Sequence, residues 1–189
     1  MIKKGFTAVA AVAALCTGVA PVMADPRIDE ARAIVKEFAG ALQTELKAAM
    51  KADGPVKAVQ VCHSRAPEIA AELSAKHGWQ VGRTSLKRRN AGNAPDDWEI
   101  GAMQHFEQRK VAGEPAGQLE FAAPVSVDGQ QQFRYMKAIP TQAICLTCHG
   151  GESVPPAVVA EIAKYYPDDM ARGFSEGDLR GAFTLSKAR

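Results

Sequence analysis

Residues 145 to 149 read Cys-Leu-Thr-Cys-His, two thiols three positions apart with an imidazole directly after the second. On one short helical turn this spacing lets both thiols add to the two vinyl groups of a porphyrin, and the adjacent imidazole then lies under the iron. Cys145 and Cys148 are thus candidate anchors for one covalently attached haem c, with His149 as proximal ligand. Two other chemistries use paired cysteines. A thioredoxin-like dithiol opens a helix after a strand, and a zinc site asks for a second Cys or His pair at suitable spacing, which this chain lacks.

A six-coordinate iron needs a further ligand, and Cys62, His63, His77, His105, Met50, Met103, Met136 and Met170 are the candidates. A single His on an amphipathic helix is usually solvated or packed, and Met routinely fills gaps in cores. Cys62 differs in kind, because a leftover thiol in an oxidising compartment is exposed to oxidation unless burial or a bound atom protects it. Val56, Val59, Ala66, Ile69, Ala70 and Leu73 recur at helical spacing between Pro55 and Lys76, with Pro67 marking a break or a new first turn. Cys62 lies on that apolar stripe. His63 is about 100° further round the helix, so both cannot face one iron without unwinding. The apolar face favours Cys62, with His63 as its rival.

Val61 to Ala70 (VCHSRAPEIA), Arg83 to Asn90 (RTSLKRRN), Asn93 to Glu99 (NAPDDWE) and the C-x-x-C-H together resemble a family of small c-type haem domains with a PAS-like fold. The resemblance extends through Tyr166-Pro167-Asp168 to Gly177-Asp178-Leu179-Arg180-Gly181-Ala182. Such domains occur alone in the periplasm or lumen and as extracytoplasmic sensory domains of chemoreceptors and histidine kinases. The resemblance implies a haem held by His149 and by a cysteine thiolate matching Cys62. His63 after that cysteine, and Ala91-Gly92 where the family more often has proline, are departures from its pattern.

A thiolate is a strong anionic donor that stabilises ferric over ferrous iron, so a Cys/His pair predicts a low potential compared with His/Met ligation. A thiolate beside an apolar porphyrin wants positive charge nearby. Arg65, Arg83, Arg88 and Arg89 are placed to supply it, and these arginines alternatively pair haem propionates. Arg83 and Arg88 are the cofactor-binding candidates. Taken alone, Lys87-Arg88-Arg89 reads more readily as a solvated loop face.

These residues must be carried by a scaffold. Residues 26 to 51 predict an amphipathic helix with Ile28, Ala31, Val35, Phe38, Leu42 and Leu46 on one face, which either packs on the domain or pairs with a second copy in a homodimer. Trp79 to Thr84 reads as a strand after a stop at Gly78, and Asp96 to Val111 as a helix opened by an Asp96/Glu99 capping box. Leu119 to Val127 and Gln131 to Ile139 flank Asp128-Gly129, a strong hairpin signal. Pro156 to Tyr165 predicts a helix and Arg180 to Leu185 a last strand. The expectation is a single α+β domain, a PAS-like antiparallel sheet flanked by helices, over residues 25–189.

Lys3 and Lys4 ahead of an apolar run from Phe6 through Val19 predict an export signal over residues 1–24, cut after Ala24. Leu15 before Cys16 is bulkier than a lipid-attachment site needs, and no later apolar segment is long enough to span a bilayer. A soluble periplasmic protein is expected. Removing the signal takes two lysines and no acids, so 23 basic residues become 21 against 21 acidic and the mature chain is formally neutral. That balance disfavours a nucleic-acid partner. Neither a catalytic triad nor a phosphate loop is present. Three function classes follow: a redox or gas-sensing module working with a diatomic ligand and a signalling protein, an electron-transfer cytochrome with a redox partner, and a haem-thiolate enzyme. The first suits a PAS-like fold. The last ranks lowest, since both axial positions are filled and no distal acid-base group stands out.

Overall fold

The structure, a computed structural model, describes residues 25–188, so the export signal expected over residues 1–24 lies outside the described residues. Helix α1 (Pro26–Ala52) begins where the Asp25 carboxylate accepts the Arg27 backbone N–H at 3.0 Å, with a proline at the first position. Ile28, Ala31, Ile34, Val35 and Phe38 are buried, so the first half of its stripe packs on the domain, while Leu42 and Leu46 are half-buried.

The helical stretch expected over residues 55 to 76, with a break or new first turn at Pro67, is interrupted just before that proline. Helix α2 (Gly54–Gln60) runs into a π-helical turn, Val61–Arg65, before α3 (Ala66–His77). The irregularity lies upstream of Pro67. Proline has no N–H to offer the carbonyl four residues back, and the Ala66 N–H reaches five residues back to the Val61 carbonyl, widening the turn by one residue. Helix α3 stops at Gly78, whose φ of 66° is left-handed.

Strands β1 (Gln80–Thr84), β2 (Glu120–Val127), β3 (Gln130–Pro140) and β4 (Leu179–Ala188) form one antiparallel sheet in the order β1-β4-β3-β2. Asp128 and Gly129, with φ of 50° and 78°, provide the left-handed pair that a tight β2–β3 hairpin demands. Helix α4 (Asp97–Val111) carries the capping box anticipated from Asp96 and Glu99. Period-two alternation sends the two faces of the sheet to different partners. Phe133, Tyr135, Phe183 and Leu185 meet α1, α3 and Trp79 on one face. Met136, Ala138 and Ala182 meet Ala102, Met103 and Phe106 of α4 on the other.

Helices α5 (Leu146–His149) and α6 (Pro156–Tyr165) follow β3. A third cluster, Val59, Val154, Val158, Ile162 and Tyr166, joins α6 to α2 with Cys148 packed against it. The architecture is the expected α+β one, and no described helix is long and apolar enough to cross a membrane.

Two polar ties hold helices to the sheet. Arg134 and Glu99, both nearly buried, pair at 3.1 Å, and the Thr184 hydroxyl donates to the same carboxylate oxygen at 2.7 Å. On the opposite face Arg32 of α1 binds Glu120 of β2, which also accepts from the Tyr135 hydroxyl at 2.8 Å. The first tie predicts that Glu99→Ala, which leaves Arg134 with only the exposed Asp96 carboxylate at 2.6 Å and the Thr184 hydroxyl without its acceptor, costs about 1–3 kcal/mol in denaturant unfolding. The second predicts acid sensitivity. The Arg32 bond holds the Glu120 carboxyl below its ordinary value, so its contribution is full above the usual carboxylate range and is lost as pH falls through the depressed folded value. Glu120→Gln should flatten that acid limb in a pH series of thermal unfolding.

Candidate functional site

The C-x-x-C-H segment leaves β3 as a short turn. Residues Ala143–Cys145 form a 3₁₀ turn that continues into α5, placing Cys145 and Cys148 about one helical turn apart with His149 as the last helical residue. Both thiols are half-buried and, like Cys62, free of disulfides.

His149 is oriented by a distant segment. Its Nδ1 lies 2.9 Å from the Ala171 carbonyl oxygen. A carbonyl only accepts, so Nδ1 carries the hydrogen and Nε2 keeps its lone pair. Burial, followed by the charges of Arg180 and Arg89, holds the imidazole pKa well below its usual value. A neutral ring with Nδ1 fixed and Nε2 unprotonated is the form a metal ligand requires. Phe174 stands edge-on to this ring, with centroids 6.2 Å apart.

The segment Asp169 to Phe174 is fixed by Arg89. This nearly buried guanidinium pairs with Asp169 at 3.0 Å and donates to the carbonyls of Cys148 at 2.7 Å and Ala171 at 3.1 Å. One side chain thereby joins the loop after β1, the cysteine pair and the loop that holds His149.

The π turn carries Cys62 to this cluster. Cys62 feels the charges of Arg83, Arg89 and Arg180, and it interacts electrostatically with both Cys145 and Cys148. Burial pushes its thiol pKa up, against the downward pull of the three arginines. His63, the next residue, is exposed and stacks on Tyr165 at 4.5 Å with an interplanar angle of 29°. Its ring also meets Tyr166 edge-on at 5.5 Å. Tyr166 itself is buried beside Cys62, and burial followed by that sulfur pushes its phenol up to about 12.

The other ligand candidates are engaged elsewhere. His77 pairs with Glu37 at 3.0 Å, and the exposed His105 sits edge-on to Phe121. Met103 and Met136 are buried between α4 and the sheet, Met50 is half-buried near the end of α1, and Met170 is exposed.

The arginines divide differently from the sequence expectation. Arg65 bonds Glu45 at 2.9 Å and Glu68, so its charge is spent on α1 and α3. Arg83 lies over the Phe38 ring at 5.7 Å and faces Cys62 and Tyr166. Arg88 is half-buried, and it is its backbone carbonyl that is engaged, by the Met170 N–H at 2.9 Å. Sequence reasoning passed over Arg180 and Arg172. Arg180 Nε lies 3.2–3.4 Å from the His149 ring nitrogens, and its Nη1 donates to Ser85 Oγ at 3.0 Å. It is held there by the close approach of β4 to the end of β1. A Cβ on Gly181 (φ 153°) would stand 2.3 Å from the Thr84 carbonyl oxygen. A lone arginine followed by glycine at a strand start was the signal available for Arg180; nothing local marks Arg172.

Among the described residues no three His, Cys, Asp or Glu side chains are grouped to hold a bare metal ion. An iron already held by four porphyrin nitrogens asks the protein for only one or two more donors, and the arrangement of His149, Cys62 and the two half-buried thiols fits that demand.

Fold and site define an α+β domain of the PAS-like kind, with three thiols and an oriented imidazole gathered among buried and half-buried guanidinium groups. The chain belongs to the Tll0287-like family, whose model matches residues 23–187. It is similar to the cyanobacterial heme-protein Tll0287, known from a crystal structure, with 26% identity and a TM-score of 0.69 over 88% of this chain and 98% of that one. No curated protein matches it.

Asp169→Ala would leave the Arg89 guanidinium buried without its carboxylate. The expected cost is about 3–5 kcal/mol in denaturant unfolding. Faster amide exchange confined first to residues 148–150 and 169–174 would mark the released clamp, whereas uniformly accelerated exchange would count against it.

Proposed function

We propose that this chain is an exported c-type haem protein that acts as a redox or gas-sensing module. Cys145 and Cys148 form the thioethers, and His149 and Cys62 are the axial ligands. The observation that carries the reading is the opposed placement of two neighbours: the π turn sets Cys62 against the C-x-x-C-H segment while His63 stacks outward on Tyr165. The similarity to a heme-protein across 88% of the chain supports the cofactor.

When bound, the haem supplies an iron that changes oxidation state and can exchange a ligand. The chain's own residues do the rest. The Ala171 carbonyl keeps His149 in one tautomer. Arg83, Arg89 and Arg180 favour the charged form of Cys62. An anionic sulfur donor implies a low potential. The sulfur sits in a π turn, a local irregularity that recurs at functional sites, between two regular helices. Release of Cys62 would let that turn relax, and movement of α2 and α3 would pass the event to a signalling protein. An electron-transfer cytochrome is the second reading. Its support is the ring stack of Tyr165 and exposed His63 beside the ligand, which brings the site close to the surface where a redox partner docks.

Cys62→Ala should abolish the low-spin thiolate signature in the electron paramagnetic resonance of the oxidised protein and raise its potential, while His63→Ala leaves both intact. The reverse pattern would assign ligation to His63. Carbon monoxide or nitric oxide taken up by the reduced wild type at low concentration supports sensing. Inertness to both gases with rapid electron exchange supports the transfer reading.

A further inference from the structure

The guanidinium groups around the cysteines outnumber the carboxylates that could balance them. Arg83, Arg89, Arg172 and Arg180 all act on the side chains of Cys62, Cys148 or His149. Of these, Arg89 is satisfied by Asp169. Among the described residues the other three have no ion pair, and the groups they touch are neutral. Arg180 touches the His149 ring, Ser85 Oγ, the Lys87 carbonyl and, at 5.3 Å, the Phe174 ring. Arg83 has the Phe38 ring. Arg172 Nε is buried without a hydrogen-bond partner. The carboxylate whose field reaches Arg180 is Asp169, already bound by Arg89.

Buried cations without anions are costly, and folded chains avoid them unless something else brings the charge. On the haem reading above, one anion is the Cys62 sulfur, which Arg83 faces. Two cations then remain: Arg172, whose charge acts on Cys148, and Arg180 against His149. We propose that Arg172 and Arg180 are a seat for a dicarboxylate and receive the two propionate groups of the porphyrin. Planar guanidinium groups match carboxylates with paired N–H donors, and each salt link would use donors that have no other anion. The loop arginine Arg88, beside Arg89 in sequence, has no part in this seat.

The proposal rests on the haem reading, so its test must separate the two. Full-length chain produced without haem attachment is titrated with metal-free protoporphyrin IX and with its dimethyl ester, followed by porphyrin fluorescence, a readout that involves neither iron nor turnover. The wild type should bind the diacid at least about tenfold tighter than the ester, as expected for one or more charge-assisted links. Arg180→Gln and Arg172→Gln should each remove most of that preference while leaving ester binding unchanged, and Arg180→Lys should keep part of it. Arg88→Gln should behave as wild type. Equal binding of diacid and ester by the wild type overturns the seat, as does loss of the preference in Arg88→Gln. Loss of both porphyrins by the same factor in Arg180→Gln, Arg180→Lys and Arg172→Gln also overturns it, because it marks a structural role. If the wild type binds neither porphyrin, the haem reading itself fails and the seat with it.

Discussion

The Arg89–Asp169 pair is the constraint on which the site depends. Its two charges are removed from water together, and the guanidinium spends its remaining donors on the carbonyls of Cys148 and Ala171. Because Ala171 in turn fixes His149, a single desolvated ion pair sets both the end of the cysteine turn and the orientation of the imidazole. The strength of such an arrangement is conditional. Complete, it costs little net; with one partner missing, the survivor is an uncompensated buried charge. That asymmetry gives the cleft a defined geometry without a large local core, since the third apolar cluster beside it contains few side chains.

Around this clamp the chain accumulates positive charge. Residues 25–189 hold 21 basic and 21 acidic side chains, yet guanidinium groups gather where carboxylates are scarce. Elsewhere the acids are matched: Glu120 by Arg32, Glu45 by Arg65, and Glu99 by Arg134. The imbalance is therefore local, and local excess charge is a more specific signal of ligand chemistry than net charge.

The sheet and its helices bring three segments far apart in sequence to one site. Glycine at position 181 lets β4 lie against the end of β1 and so brings Arg180 to His149. The π turn brings Cys62 from the other side. Neither device is local to the C-x-x-C-H motif, and each uses a backbone feature in place of a bulky side chain.

The sequence alone determined the motif, the elements and most of their limits, because these rest on short-range physics. Two thiols and an imidazole at fixed spacing state their chemistry without a fold, and the Asp96/Glu99 box and the Asp128-Gly129 turn are satisfied by neighbours a few residues away. The widened turn was half legible: Pro67 announced a break, but the slack appeared upstream, where the missing N–H is felt. Tertiary structure decided what depends on long-range approach. It turned Cys62 inward and His63 outward, and it spent Arg65 on Glu45. It also brought Arg89 against the Cys148 carbonyl and Arg180 against the His149 ring. Side-chain charges in a loop or at a strand start carry no local record of their partners. Only folding fixes which are desolvated together.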